Sequence, residues 1–306
     1  RGRSSGSGFV AKMDGRPYLL TNQHVILGAD RIKFKTASGR TLKPMGVELA
    51  ATRDIARLPL APESTALAVS ENMSMGAPIG VFGNSEGGGV ATELYGKVTG
   101  ISSDKLEVSA DFVGGNSGSP VLNLDREAIG IASFVRWKTN DDAGEKTRRF
   151  CYRLTDNRWV PVNWKRYNDA YGKQYRETEG LIDSIFEIIG IWYTNPSSRI
   201  DSGATTQASP RRWTDHHNDM VNKIEKMLDK GEATRKELDD INRKIRKDLI
   251  DSAEALSKVC TDKARALRMI MRKQRDMSGS LRGEFESFAD RLDAMAGYVA
   301  GYGKWL

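Results

Sequence analysis

The sequence predicts a multi-domain chain in which an all-β region over residues 1–165 precedes an all-α region. Three observations carry this expectation. Short apolar runs separated by turn residues recur throughout the first 165 positions, the pattern of a barrel or sandwich. From about Trp164 the apolar period changes to three and four residues. Between the two helical parts, Thr194 to Pro210 is rich in Ser, Thr, Gly and Pro and reads as a linker.

In order along the chain, Gly8-Phe9-Val10-Ala11 and Tyr18-Leu19-Leu20-Thr21 flank Asp14-Gly15, which suggests a hairpin. Ile32 to Lys35 alternates with period two and ends at Ser38-Gly39. Val47 to Ala51 and Ile55 to Leu60 continue the series. A second run follows with Pro78 to Phe82, Ala91 to Thr99, Lys105 to Val108, Val121-Leu122 and Ala128 to Val135. Lys138 to Arg149 is polar and charged and is expected to be a loop, with Phe150 to Leu154 and Trp159 to Val162 as closing strands. Residues 166–193 suit a helical extension carrying Tyr171, Tyr175, Leu181, Ile182, Ile185 and Ile189 on neighbouring turns. A linker over 194–213 leads into a helical, coiled-coil-like domain over 214–306. There Leu238, Ile241, Ile245, Leu249, Ala253, Leu256, Val259, Leu267 and Ile270 form one apolar stripe, and a last helix from Leu281 to Tyr298 is disturbed by Gly283.

Composition narrows the function classes. The net charge is +7, from 47 basic and 40 acidic residues, which implies mild polyanion affinity and no dedicated nucleic-acid surface. The basic clusters Arg243-Lys244-Arg246-Lys247 and Arg272-Lys273-Arg275 alternate with acids and read as a solvated helix face. The longest apolar stretch, Leu181 to Tyr193, contains Asp183 and Glu187 and is too short to span a bilayer, so no transmembrane segment is expected. Two cysteines, Cys151 and Cys260, exclude a disulfide framework and form no metal-ligand pattern. His216-His217 lacks spaced partner ligands and reads as a helix cap or a solvent-exposed pair. No metal and no cofactor are expected. The chain opens at Arg1 without a charged-then-apolar leader, so any signal peptide is absent from it and the compartment stays open.

Three residues at the edges of expected strands can do chemistry together. His24 stands in Leu20-Thr21-Asn22-Gln23-His24-Val25, Asp54 opens Asp54-Ile55-Ala56, and Ser117 sits in Gly114-Gly115-Asn116-Ser117-Gly118-Ser119-Pro120. A serine hydroxyl needs an imidazole to take its proton, and the imidazole needs a carboxylate to hold its tautomer. Glycines beside the serine let two backbone N–H groups turn toward a developing oxyanion.

This constellation resembles the chymotrypsin-fold, trypsin-like serine proteases, in their bacterial HtrA/Deg-like or glutamyl-endopeptidase-like branch. The resemblance covers about residues 6–160. It rests on four motifs in the family's order: Gly6-Ser7-Gly8-Phe9, the His24 segment, the Asp54 segment and the Ser117 segment, with Ile129-Gly130-Ile131 following. It implies two β-barrels, about residues 1–60 and 75–165, and a serine endopeptidase working without cofactor through an acyl-enzyme. Ser117 would be the nucleophile, His24 the general base and Asp54 the orienting carboxylate. The N–H groups of Gly115 and Ser117 would form the oxyanion hole. A substrate pocket would draw on Asp111, Ser133, Phe134 and Val135. Asp111 suggests a preference for Lys or Arg, whereas Val135 suggests a narrow aliphatic pocket, and the balance tips toward the latter.

Two departures stand out. The chain begins only a few residues before Gly6, and residues 165–306 show nothing like the PDZ module of HtrA proteases. A competing reading makes the helical region the working part, a scaffold or oligomerisation element beside a latent or self-processing protease. In a third reading the domain is a viral polyprotein protease with the same chemistry. The partners implied are a protein or peptide substrate and, through the helices, a second copy or a partner protein. The resemblance leans toward a bacterial periplasmic or secreted setting.

Overall fold

The computed structural model describes residues 5–194 apart from 63 and 141–143, most of 218–231, and residues 235–305. It divides into two units: Arg1–Gly172 with Ser278–Leu281, and Lys173–Met277 with Arg282–Leu306. The linker expected over 194–213 lies almost wholly outside the described residues, as do His216 and His217.

Among the described residues the first unit carries thirteen strands in chain order. β1 (Phe9–Met13) and β2 (Arg16–Thr21) form the expected hairpin, with Phe9 opposite Leu20 and Met13 opposite Arg16. Asp14 and Gly15 close it at φ 51° and 77°, the two left-handed residues that match the twist of the flanking strands. After a short helix α1 (Gln23–Ile26), strands β3 (Phe34–Lys35) and β4 (Thr41–Leu42) form a small ribbon. β5 (Val47–Ala50) and β6 (Ala56–Pro59) then join β1 and β2.

A closed barrel follows. β7 (Pro78–Gly83), β8 (Thr92–Ile101), β9 (Lys105–Val108), β10 (Pro120–Leu122), β11 (Ala128–Asn140) and β12 (Gly144–Arg153) close in the order β10-β11-β12-β9-β8-β7. Ile79, Val81, Val98, Leu106, Val108, Phe112, Val121, Ile129 and the Cys151 thiol fill it. A second cluster joins the two sheets, packing Ala128, Ile131 and Leu154 against Phe9, Tyr18, Leu20 and Ile55. The site described below lies in this two-sheet unit.

Two expectations change. The polar stretch Lys138 to Arg149 is not a loop: β11 and β12 pair from Gly130↔Arg153 out to Asn140↔Gly144. Ladder hydrogen bonds are made by the backbone, so a ribbon needs no apolar side chains along its length. The last strand, β13 (Trp159–Val162), leaves the second barrel and pairs with β5, placing Trp159 opposite Ala50. The first sheet thus runs β1-β2-β6-β5-β13. Arg57 explains the return. Its guanidinium lies 4.5 Å from the centroids of both Tyr18 and Trp159 and donates to Glu48 (2.6 Å) and Asp14 (2.8 Å). A nearly buried cation stacked between two rings and paired with two carboxylates makes Trp159 part of this sheet.

Helix α2 (Trp164–Tyr167), capped by the Asn163 side chain, runs into a π-turn over Asn168–Gly172 and ends the first unit's main segment. The second unit is helical: α3 (Lys173–Thr194), α4 (Arg235–Lys273) and α5 (Gly279–Trp305), whose first residues belong to the first unit. α4 buries Leu249, Ala253, Leu256, Cys260, Ala264, Leu267 and Met271, a three-and-four spacing that puts one stripe inside. Tyr175 of α3 meets Phe288 of α5 at 5.2 Å, and Lys263 of α4 reaches Gln174 at 2.9 Å. α5 runs unbroken through Gly283, where a side chain would meet open space, so that glycine costs propensity without interrupting the helix. No described helix is long and apolar enough to cross a membrane.

Candidate active site

β2 ends at Thr21, and the chain turns at once into α1, so His24 stands one short step beyond a buried strand. Asn22 fixes that step by donating from Nδ2 to the Asp54 carbonyl at 2.6 Å. Asp54 lies just before β6, and Oδ1 of its carboxylate accepts the His24 backbone N–H at 3.0 Å. Oδ2 stands 2.5 Å from Nδ1 of His24. Imidazole and carboxylate are thus locked by one backbone and one side-chain contact, which assigns the Nδ1 proton to Asp54 and directs Nε2 away from it. Arg53 does not compete for this carboxylate. Its guanidinium donates to the carbonyls of Arg153 and Thr155 at 2.9 and 2.5 Å, and burial lowers its pKa.

The Ser117 turn comes from the closed barrel. Asn116 N–H donates to the Val113 carbonyl at 3.1 Å, closing a turn in which Gly115 takes φ 89°, and Gly118 follows at φ 92°. Both must be glycine. A Cβ on Gly115 would lie 2.4 Å from the Asn84 carbonyl, and one on Gly118 would lie 2.1 Å from the Ser7 carbonyl. Among the described residues the N–H groups of Gly115 and Ser117 have no hydrogen-bond partner.

Ser133 joins the pieces. The Ser117 hydroxyl donates to the Ser133 carbonyl at 3.2 Å, and the Ser133 hydroxyl donates to Oδ2 of Asp54, also at 3.2 Å. Ser133 therefore contacts the Ser117 hydroxyl through its backbone and the carboxylate that holds His24 through its side chain.

Ser7 holds the Ser117 turn from the other side. Its N–H donates to the Ser117 carbonyl (3.0 Å), its hydroxyl to the Gly115 carbonyl (2.8 Å), and the same oxygen accepts the Asn84 N–H (2.8 Å). The Gly6-Ser7-Gly8 motif flagged in the sequence has its physical content here. Sequence reasoning gave no role to Ser7, Asn22 or Asn84, since nothing local marks a side chain whose partner is distant in the chain.

Among the residues assigned to a substrate pocket, the Asp111 side chain is 84% exposed and pairs with Arg149 at 3.0 Å. Val135 packs against the second-barrel core that contains Phe112. Phe134 stacks on Phe150 with centroids 5.1 Å apart. No group of three or more His, Cys, Asp or Glu suited to a metal occurs among the described residues.

Residues 6–131 match the trypsin-like peptidase domain family. Over this stretch the β-rich unit is similar to trypsin-like peptidase domains. The chain is 32% identical over 143 residues to a probable periplasmic serine endoprotease, DegP-like, of Halomonas elongata, covering 44% of this chain and 30% of that protein. It is 31% identical over 143 residues to serine protease HTRA1 of Xenopus tropicalis, covering 42% of this chain and 31% of that protein. The chain thus spans about a third of the length of these relatives. The solved HtrA-type protease AlgW with a decapeptide aligns at 24% identity and a TM-score of 0.41, over 49% of this chain and 48% of that one. The family match falls within the part of the chain for which the sequence implied a protease.

Proposed function

We propose that the chain is a serine endopeptidase in which Ser117, His24 and Asp54 form the catalytic triad. The direct His24–Asp54 contact of 2.5 Å, with Ser133 bonded to both Asp54 and the Ser117 hydroxyl at 3.2 Å, carries this reading. In attack, the Ser117 O–H leaves the Ser133 carbonyl for Nε2 of His24 while Oγ bonds to the substrate carbonyl carbon. Asp54 stabilises the imidazolium that forms. The carbonyl oxygen becomes an oxyanion facing the unpartnered N–H groups of Gly115 and Ser117, donors that need no reorganisation as charge develops. Imidazolium then gives its proton to the leaving amine. Water repeats the sequence on the acyl-enzyme, releasing the acid and restoring the Ser117 hydroxyl.

The substrate class is a protein or peptide, as the names of the HtrA-type relatives and the decapeptide bound to one of them suggest. A small aliphatic residue is the favoured side chain before the scissile bond. Asp111 is exposed and paired with Arg149, which argues against its serving as a pocket-floor anion, while the branched Val135 side chain packs on the second-barrel core.

A fluorophosphonate probe tests the triad. It should label the wild type covalently and leave Ser117→Ala unlabelled. Equal labelling of the two, or none of either, would refute the assignment.

A further inference from the structure

The segments that present His24 and Asp54 are both held from behind by the start of α5. Ser278 and Gly279 belong to the first unit although they stand more than 250 residues beyond His24. Three side chains close a ring there. Nε2 of Gln23 donates to the Tyr167 hydroxyl at 3.0 Å, that hydroxyl donates to Oγ of Ser278 at 3.2 Å, and the Ser278 hydroxyl donates to Oε1 of Gln23 at 3.1 Å. Gln23 and Tyr167 are buried, so every polar atom in this ring is satisfied by another member of it, an arrangement that polarises and stiffens each bond. Ser278 also caps α5, its Oγ accepting the Leu281 N–H at 3.2 Å.

One residue further on, the Gly279 N–H donates to the Ala51 carbonyl at 2.7 Å. Ala51 begins the Ala51–Arg53 turn that ends in Asp54. Gln23 immediately precedes His24 on the short helix α1. Two consecutive residues thus grip the two loops whose side chains meet at 2.5 Å. The approach is close: a Cβ on Gly279 would lie 2.8 Å from the Ala51 carbonyl oxygen. That oxygen is backbone and moves only with its turn.

We propose that Ser278 and Gly279 are positioning residues for catalysis, setting the His24–Asp54 geometry through Gln23 and Ala51. The proposal rests on the triad reading above. Neither residue touches a reacting atom. Their effect is therefore on the chemical step and not on probe binding, and misplacements of about 1 Å remote from the chemistry can cost on the order of 100-fold.

The test uses the full chain and a fluorophosphonate, measuring the maximal inactivation rate kinact and the half-saturating concentration KI. Ser278→Ala opens the ring, whereas Ser278→Thr keeps the hydroxyl. Gly279→Ala presses on the Ala51 carbonyl, yet as a helix residue alanine is intrinsically better than glycine, so a merely structural role predicts no loss. Ser278→Ala and Gly279→Ala should each lower kinact about tenfold with KI within about twofold, and Ser278→Thr should stay within about twofold of the wild type. If Ser278→Ala does not fold, Gly279→Ala decides. Wild-type kinact in Gly279→Ala, or equal losses in Ser278→Ala and Ser278→Thr, overturns the proposal while leaving the triad standing. A wild type that does not label, or a Ser117→Ala variant that does, overturns the triad and this proposal with it.

Discussion

Ser133 touches Asp54 with its side chain and Ser117 with its backbone: its hydroxyl donates to the carboxylate at 3.2 Å, and its carbonyl accepts the serine O–H at 3.2 Å. One residue of β11 therefore spans the proposed nucleophile and the carboxylate, though the sequence pointed to it only as a pocket wall. Ser133→Ala separates the two contacts, because the carbonyl survives. A hydrogen bond to a charged group contributes about 1.5–3 kcal/mol. Since Asp54 keeps both contacts to His24, kcat should fall by about tenfold with KM little changed. Steady-state kinetics on a peptide substrate check this, and a large rise in KM would return Ser133 to the pocket.

Asp54→Asn keeps the size of the side chain and removes its charge. The amide can still accept the His24 backbone N–H, so the fold should survive. The imidazole, however, loses the acceptor that holds its proton on Nδ1. Comparable substitutions cost on the order of 10⁴ in kcat through the wrong tautomer and the lost imidazolium stabilisation. Burst kinetics with an activated ester should show acylation slowed to that degree at neutral pH. A variant retaining a tenth of wild-type acylation would show that Asp54 does not hold the imidazole.

What the sequence could disclose follows from locality. The β1–β2 hairpin was legible because Asp14-Gly15 states its turn type, and the α4 stripe because its period is written in consecutive residues. The trypsin-like resemblance was legible because four short motifs fall in order. The return of β13 to the first sheet was not, since Trp159 gives no local sign that it will stack on Arg57, about a hundred positions earlier. The β11–β12 ribbon was hidden by its charges, which mask strand character without opposing backbone pairing. Ser7 and Ser278 were missed for a related reason. Each is an ordinary serine by composition, and its importance lies in what the fold brings opposite its hydroxyl.

Gly115→Ala tests the proposed oxyanion turn. The substitution demands φ 89° of a residue with a Cβ and drives that Cβ to 2.4 Å from the Asn84 carbonyl and 2.5 Å from the Gly87 nitrogen. The Gly114–Gly115 peptide can relieve the clash only by rotating, which takes the Gly115 N–H out of position. Loss of one such donor costs roughly 100–1,000-fold in kcat. A peptide boronate, which mimics the tetrahedral intermediate, should lose affinity in parallel with kcat, while the KM for substrate changes little. Equal losses in boronate affinity and substrate KM would show that the turn only shapes the binding surface.

The two thiols give a prediction about the fold that does not depend on catalysis. Cys151 and Cys260 are free and fully buried. Burial raises the Cys151 pKa strongly and pushes that of Cys260 up to about 11, so at pH 8 both stay in the protonated, unreactive form. The sign of the linkage follows. An unfolded thiol ionises near its ordinary value while the buried thiol does not, so this contribution to stability is present below that value and is lost as pH rises toward the folded one. An aromatic disulfide reagent at pH 8 should therefore modify neither cysteine in the native protein and both in urea. Raising the pH from 8 to 10 should lower the urea midpoint, and replacing Cys260 with alanine should reduce that dependence. Rapid modification of Cys260 in the native chain at pH 8 would show that the α4 stripe is open to solvent there.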